Sequence, residues 1–299
     1  MTVTIGVHSS NPSLHHLRHL STVGLDLAQD ELAPLGESVV FHPYTNGVRT
    51  GELLSRGVID FGGTGSTPPI TAQAAGHDLV YTAVSAPRPG HGALLVPENS
   101  DIRTVADLRG TTVHLAIGSW QTHLVAKALD TAGLSYADDI TAVRSTDDSE
   151  RLLRAGEIAA WVAQGAQLAA ARRTGGLRVL VPTEDVITDR SVFFTRRDFA
   201  EGRPEIVAAL SRALRRADEW AAANPREAAR VAAADLGGDV DDWETALRAL
   251  PWRIEDVSDT FIAEQQEAAD IFHRTGFIDR PVTVADARAV TPAVTPKAV

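Results

Sequence analysis

Short apolar strands alternate with helical stretches along nearly the whole chain, and the pattern runs through twice. "TVTIGV" leads into "HSSNPS", where Asn11 and Pro12 read as a helix start, a capping side chain followed by a residue whose φ is pre-set for the first turn. The helix is expected to run to about Leu32. "SVVFHPY" reads as the second strand, "VRTGELLSRG" as a short helix and "VIDFGG" as the third strand. "GGTGST" then opens another helix, with Thr67 as the expected cap and Pro68 at the first helical position. After the strand "DLVYTAVSA" and the turn-rich "PRPGHG" the pattern restarts, with strands in "HGALLVP", "TTVHLAI", "DITAV", "IAAWVA" and "LRVLV" and a helix opening at "GSW". From Pro204 to Phe277 the chain is helical and rich in Ala and Arg, with breaks at Asn224-Pro225, Gly237-Gly238 and Pro251. Residues 291–299 have no periodicity and are expected to be disordered.

This alternation calls for parallel sheets covered by helices. Two such units give an α/β protein of two lobes with a cleft between them. The expected division is residues 1–87 with 189–290 as one lobe and 88–188 as the other, with hinges in "SAPRPGHG" and "VPTEDVITDRS". A length of 299 residues suits two lobes, and 44% hydrophobic with 22% charged residues supplies an ordinary core.

Other classes are narrowed by charge and by what is missing. A formal net charge of −11 disfavours nucleic acid, whose phosphates need a basic surface. A small anion can still be held where a pocket is locally positive. With no cysteine, disulfides, thiolate catalysis and cysteine-ligated metals are excluded. No apolar run approaches the roughly 20 residues that span a bilayer, so no membrane insertion is expected. "MTVTIGVHSS" has neither a basic n-region nor a long apolar h-region. A cytoplasmic location is therefore expected if Met1 is the native start, and an extracytoplasmic one if a signal segment was removed. There is no P-loop, no dinucleotide fingerprint, no G-x-S-x-G elbow and no EF-hand loop, so neither cofactor nor metal is expected.

In open α/β sheets ligands sit beyond the carboxyl ends of strands, where helix starts aim free N–H groups and a positive dipole end. Three such junctions occur here: "HSSNPS", "GGTGSTPP" and "IGSWQTH". The candidate ligand-binding residues are His8, Ser9, Ser10 and Asn11 in the first, Gly63, Thr64, Gly65, Ser66 and Thr67 in the second, and Gly118, Ser119 and Trp120 in the third. Glycines let backbone approach a ligand, and the hydroxyls and amide offer neutral donors. The implied guest is a small oxyanion; the competing reading is three ordinary capped helices.

"DFGGTGSTPPITAQAAGHDLVYTA", "TVADLRGTTVHLAIGSWQTHLVAKALDTAGL", "RLLRAGEIAAWVA" and "ADEWAAANPREAARVAAADLG" resemble the aliphatic-sulfonate-binding members of the type 2 periplasmic binding proteins, over about residues 3–285. That resemblance implies two Rossmann-like lobes, one inserted in the other, closing on a sulfonate or similar small organic anion, with an ABC permease as partner if the protein is exported. Two features depart from it. An aromatic-Asp-Pro expected after "AAWV" is replaced by Gln164, Gly165 and Ala166, and no signal segment is visible. "VHLAIGSWQTHLVAKAL" and "HSSNP" also resemble the 2'-hydroxybiphenyl-2-sulfinate desulfinases, cytoplasmic hydrolases on the same scaffold. The position that resemblance assigns to their catalytic Cys is Asn11, which cannot serve as a thiolate nucleophile.

A binding module for a small organic anion and a C–S hydrolase or lyase on this scaffold therefore both stand. If the chain is an enzyme, His8, His42, His91 and His123 are the available acid–base groups. His8 follows the first strand, where an imidazolium would complement an anion, or it is a structural histidine. His15, His16 and His19 lie early in a helix and lack a third metal ligand by spacing, so they read as a solvated face. Arg88 and Arg190, both at the hinges, could bind an anion bidentately, Arg190 being the candidate ligand residue, or they are solvated hinge residues. Trp120 stacks on an organic ligand or packs between the lobes.

Overall fold

The computed structural model describes residues 2–9 and 11–288. Ser10 and the tail 291–299 lie outside the described residues. In chain order the elements are β1 (Thr2–His8), α1 (Pro12–Thr22), α2 (Leu27–Leu32), β2 (Ser38–Tyr44), α3 (Thr50–Ser55), β3 (Gly62–Thr64), α4 (Thr67–Ala74) and β4 (Leu79–Ser85). Then come β5 (Gly92–Pro97), β6 (Thr111–Leu115), α5 (Trp120–Thr131), β7 (Ile140–Arg144), α6 (Ser149–Arg154), β8 (Ala160–Gln164), α7 (Gly165–Thr174) and β9 (Leu177–Pro182). The chain closes with β10 (Val192–Arg196), α8 (Arg197–Gly202), α9 (Pro204–Ala223), α10 (Pro225–Leu236), α11 (Val240–Arg248), β11 (Ile254–Glu255) and α12 (Asp259–Arg274).

Two sheet systems result. β1 pairs with β2 in parallel, and a parallel bridge from Ile5 to Phe61 ties this pair to the sheet ordered β11-β4-β10-β3. The second system is one five-stranded sheet ordered β7-β6-β8-β5-β9. Both are mixed, whereas the sequence pattern calls for parallel sheets. β5 runs antiparallel to β8 and β9, and β10 antiparallel to β3 and β4. The reason is topological. Strands of β–α units end at the cleft, but β5 and β10 enter their sheets straight from a crossing segment and therefore start there.

The two crossings, Ala86–His91 and Thr183–Ser191, are fastened to each other. Arg88 N donates to Asp189 O at 2.9 Å and Ser85 N to Ser191 O at 2.8 Å. The Arg88 guanidinium meets Asp189 Oδ2 at 2.8 Å and donates to Ser191 Oγ at 3.1 Å. One apolar cluster belongs to the first system, and a second runs through both, including Tyr81 and Phe194 of β4 and β10. Val3, Ile5 and Val7 of β1 pack with Leu14 and Leu17 of α1 and with Leu210 and Leu214 of α9. Leu94, Val113 and Val162 pack with Leu124 of α5, in a cluster that continues to Phe272 of α12.

Local differences from the sequence pattern have local causes. The first helix stops at Thr22 because Gly24 takes φ +86°, and Asp26 then caps α2 by accepting from Gln29 N at 3.3 Å. The two-residue strand β11 lies inside the stretch expected to be helical, after Pro251, and pairs with β4.

Candidate functional site

Helices α1, α4 and α5 all begin in the gap between the sheets, and their first residues touch. A Cβ built on Gly63 would lie 3.0 Å from Asn11 Nδ2, and one on Gly65 would lie 3.0 Å from Trp120 Cβ. Thr67 Oγ1 donates to Ser119 O at 2.7 Å, so α4 and α5 are joined start to start. The three sequence junctions therefore gather in one place. At the mouth, Gly118 with φ +83° faces Val48, whose Cγ2 would be 2.3 Å from any Cβ there.

Most of the hydroxyls expected to face a ligand are used inside the protein. Ser66, not Thr67, occupies the cap position of α4, in helical conformation and without a side-chain cap bond. Its Oγ instead pairs with His123 Nδ1 at 3.1 Å, while Thr67 reaches Ser119. Thr64 Oγ1 donates to Gly65 O at 3.0 Å. Ser119 Oγ caps α5 by accepting from Gln121 N at 3.1 Å and donates to Ala116 O at 2.7 Å.

Asn11 is different. Its Oδ1 caps α1 by accepting from Leu14 N at 3.1 Å. Its Nδ2 is buried, with the residue only 2% exposed, and has no hydrogen-bond partner among the described residues. A buried amide donor without a partner costs about 1–3 kcal/mol, a cost that an oxyanion accepting from it would remove.

A cavity of about 670 Å³ opens beside the start of α1; Asn11 itself and the first residues of α4 and α5 are not among the residues that line it. Ser9 and Pro12, flanking Asn11 in sequence, line one wall with His15 and His16. His91 from the first crossing and Gln164, Gly165 and Ala166 at the start of α7 line the opposite wall. The far side is built by Trp243, Leu247 and Leu250, around and beyond α11. Of the sequence candidates, Ser9 and His91 line this cavity. His15, His16, Gln164 and Trp243 were not among them.

The histidines divide by environment. Burial, the largest influence, holds His8 at a pKa of about 4, although its Nε2 sits 3.2 Å from Thr45 O, which acts the other way. Of the two readings for His8, a cation beside an anion or a structural histidine, this lowered pKa favours the second. His15 and His16 are not on a solvated face; both are buried because α9 and α10 cover α1. The His16 ring lies 5.7 Å from Trp220 and 5.2 Å from Trp252, and burial pushes its pKa down to about 3. His15 Nδ1 meets Asp235 at 2.9 Å, leaving Nε2 buried without a partner among the described residues. Among the described residues no group of three His, Cys, Asp or Glu side chains could hold a metal ion.

His91 sits on the cavity wall with Nδ1 donating to Asp189 Oδ2 at 2.7 Å and its ring 5.1 Å from Trp120. Burial and the neighbouring Arg88 charge hold its pKa down against the pull of Asp189. Trp120 is packed between the lobes: Nε1 donates to Gln164 Oε1 at 2.9 Å, and a Cβ on Gly92 would lie 2.3 Å from its Cη2.

The remaining candidates lie elsewhere. His42 is on the outer strand β2, opposite Gly6. Burial lowers His123 to a pKa of about 3. With Ser66 and Arg190 it lines a separate, smaller cavity of about 140 Å³. Arg190 is taken up by Glu264 at 2.9 Å, Glu255 at 2.9 Å and Ser85 O at 2.8 Å, which leaves its planar fork no face for an anion. The expected bidentate arginine is therefore a strut between a crossing segment and α12.

Two mixed sheets joined by paired crossings, with helix starts converging on a cleft, define the periplasmic-binding-protein fold. Within that fold the chain belongs to the NMT1/THI5-like family, which matches residues 36–228. A protein of Escherichia coli (strain K12) named for binding aliphatic sulfonates is 32% identical over 234 residues, covering 78% of this chain and 73% of that protein. The crystal structure of the periplasmic aliphatic sulphonate binding protein SsuA from E. coli superposes with a TM-score of 0.85 at 27% identity, over 100% of this chain and 95% of that one. The desulfurization enzyme DszB shares the fold at a TM-score of 0.63 and 16% identity, over 96% of each chain.

Proposed function

We propose that this protein binds a small organic anion of the sulfonate type in the cleft, with residues 1–87 and 189–290 acting as one lobe and 88–188 as the other. The observation that carries this is Asn11 Nδ2, a buried donor without a partner among the described residues, at the start of α1 and among three convergent helix starts. The sulfonate-binding names of the relatives agree with it. In this reading Asn11 and the first turns of α1, α4 and α5 hold the head group, with Ser9 and Gln164 at its edges. Neutral donors and helix dipoles suit a sulfonate, which is ionised at every physiological pH and needs no proton from the protein. The protein then serves as the extracytoplasmic solute-binding component of an importer, presenting the closed lobes to an ABC permease.

A thermal-shift panel of sulfonates, sulfinates, carboxylates and nitrate tests the reading. A ligand at 100 times its Kd adds about 2.7 kcal/mol to stability, a readily measured rise in Tm. If no sulfonate raises Tm while a carboxylate or nitrate does, the sulfonate assignment fails.

A second reading, an enzyme on this scaffold, is favoured by the Asp189–His91 pair, because a carboxylate-oriented imidazole on a cavity wall is the arrangement of a general base. Such an enzyme would hydrolyse a C–S bond without a thiolate, since the chain has no cysteine. Sulfite release from an aryl sulfinate, lost in His91→Ala, would establish it; binding without release excludes that reaction.

A further inference from the structure

The cavity is much larger than an anionic head group requires, and its two ends differ in chemistry. Volumes of about 300–1,000 Å³ accommodate ligands of drug size, and this one measures about 670 Å³. One end carries the polar atoms described above. The other is walled by Trp161 and Leu168 from the lobe 88–188 side and by Trp243, Leu247 and Leu250 from the C-terminal helices. Trp243 is only half-buried, and its Nε1 is already satisfied by Gly237 O at 2.7 Å, so what it offers the cavity is its apolar ring.

That ring is seated by two glycines. A Cβ on Gly165 would lie 3.3 Å from Trp243 Cζ3, and one on Gly238 would lie 3.2 Å from Nε1. Gly165 also takes φ +53°, a conformation that suits glycine, so the backbone at the start of α7 lies close against the indole. The wall is held in place: Arg173 on α7 clamps Asp242 on α11 with bonds of 3.1 and 2.7 Å. This end is therefore a built pocket rather than open space between separating lobes.

We propose that the anion bound here carries a bulky aromatic body, with its head at the start of α1, beside Ser9 and His15, and its ring system against Trp243. The inference rests on the proposed anion-binding function and names the ligand class for that same site. A two-carbon sulfonate would leave the apolar wall facing water, whereas an aryl sulfonate covers it and stacks on the indole. Stacking and burial together favour the aromatic ligand by roughly tenfold or more.

The test is calorimetric titration of the full chain with 1-naphthalenesulfonate and with ethanesulfonate, repeated on Trp243→Ala and Trp243→Phe after melting curves have shown that both fold. The expected result is that wild type prefers the naphthalene compound by about tenfold or more, that Trp243→Ala brings the ratio of affinities close to one, and that Trp243→Phe restores most of it. Equal affinities in wild type, or a ratio unchanged in Trp243→Ala, overturn the aromatic assignment while leaving anion binding standing. Binding of neither compound overturns both.

Discussion

Asn11 does two jobs with two atoms, and substitutions can separate them. In Asn11→Ala the cap of α1 is lost with the Leu14 N–H bond at 3.1 Å. A lost cap costs about 1 kcal/mol, but the substitution also removes the unpartnered buried donor, which itself costs about 1–3 kcal/mol, so the Tm without ligand should change little or rise. The same variant loses the Nδ2 donor, and a hydrogen bond to a charged ligand contributes about 1.5–3 kcal/mol, or roughly ten- to 150-fold in Kd. Asn11→Asp keeps the cap acceptor and replaces the amide donor with a carboxylate oxygen. Its melting point at neutral pH should stay near that of Asn11→Ala or above it, while its anion affinity should be the weaker of the two, because like charges now meet in a buried place. Burial raises the pKa of such a carboxyl, and its protonated form is again a donor, so affinity in Asn11→Asp should recover as pH falls. Melting curves and titration calorimetry on the three proteins, at pH 7.5 and at lower pH, decide the matter. If Asn11→Asp binds the anion as tightly as wild type at pH 7.5, the reasoning that places the head group at Nδ2 is wrong.

The remaining predictions concern how the cleft is held. Gln164→Leu strands Trp120 Nε1 and Gln121 Nε2, which both donate to Gln164 Oε1, at 2.9 and 3.1 Å; two buried donors without partners should cost about 2–5 kcal/mol in urea denaturation. Gly118→Ala puts a Cβ at a φ of +83° and against Val48, so it should lose about 1–2 kcal/mol of stability from backbone strain and should weaken ligand binding by holding the mouth apart. Adding Val48→Ala should recover affinity but not stability, and recovery of neither would show that the contact does not control closure. Stability should also fall on acidification. His8, His16 and His123, with folded pKa values of about 4, 3 and 3, each bind a proton in the unfolded chain from about pH 6.5 downwards but not in the fold. Asp218, raised by burial to about 7, works in the opposite sense as pH rises from the ordinary carboxyl range to 7. Between pH 4 and 6 the net loss should be on the order of 2–3 kcal/mol per pH unit, and urea midpoints should show a steeper slope in Asp218→Asn.

What could be read from the sequence, and what could not, follows from the range of the interactions involved. The β1–α1 junction was legible because Asn11 and Pro12 are a local signal, and the α10 and α11 boundaries because Asn224-Pro225 and Gly237-Gly238 act on their own backbone. Strand direction was not legible. Nothing inside Gly92–Pro97 or Val192–Arg196 records that these strands start at the cleft; only the crossings do. The burial of His15 and His16 was likewise hidden, since the covering residues are some 200 positions away on α9 and α10. So was Trp243, which meets Gly165 only after the C-terminal helices fold back.

The hydroxyl residues misled for a more instructive reason. A Ser or Thr oxygen is donor and acceptor at one atom, so a hydroxyl beside a helix start finds both partners nearby, as Ser119 does with Gln121 N and Ala116 O. An asparagine cap divides the two functions between atoms that point apart. Once Oδ1 is committed to the helix, the two N–H groups of Nδ2 face away from it and cannot be satisfied by the same turn. At a strand–helix junction in a cleft, a capping Asn is thus a better pointer to a bound anion than a capping Ser, and here, among the described residues, it is Asn11, rather than the glycine-hydroxyl loop at 62–67, whose side-chain donor has no partner.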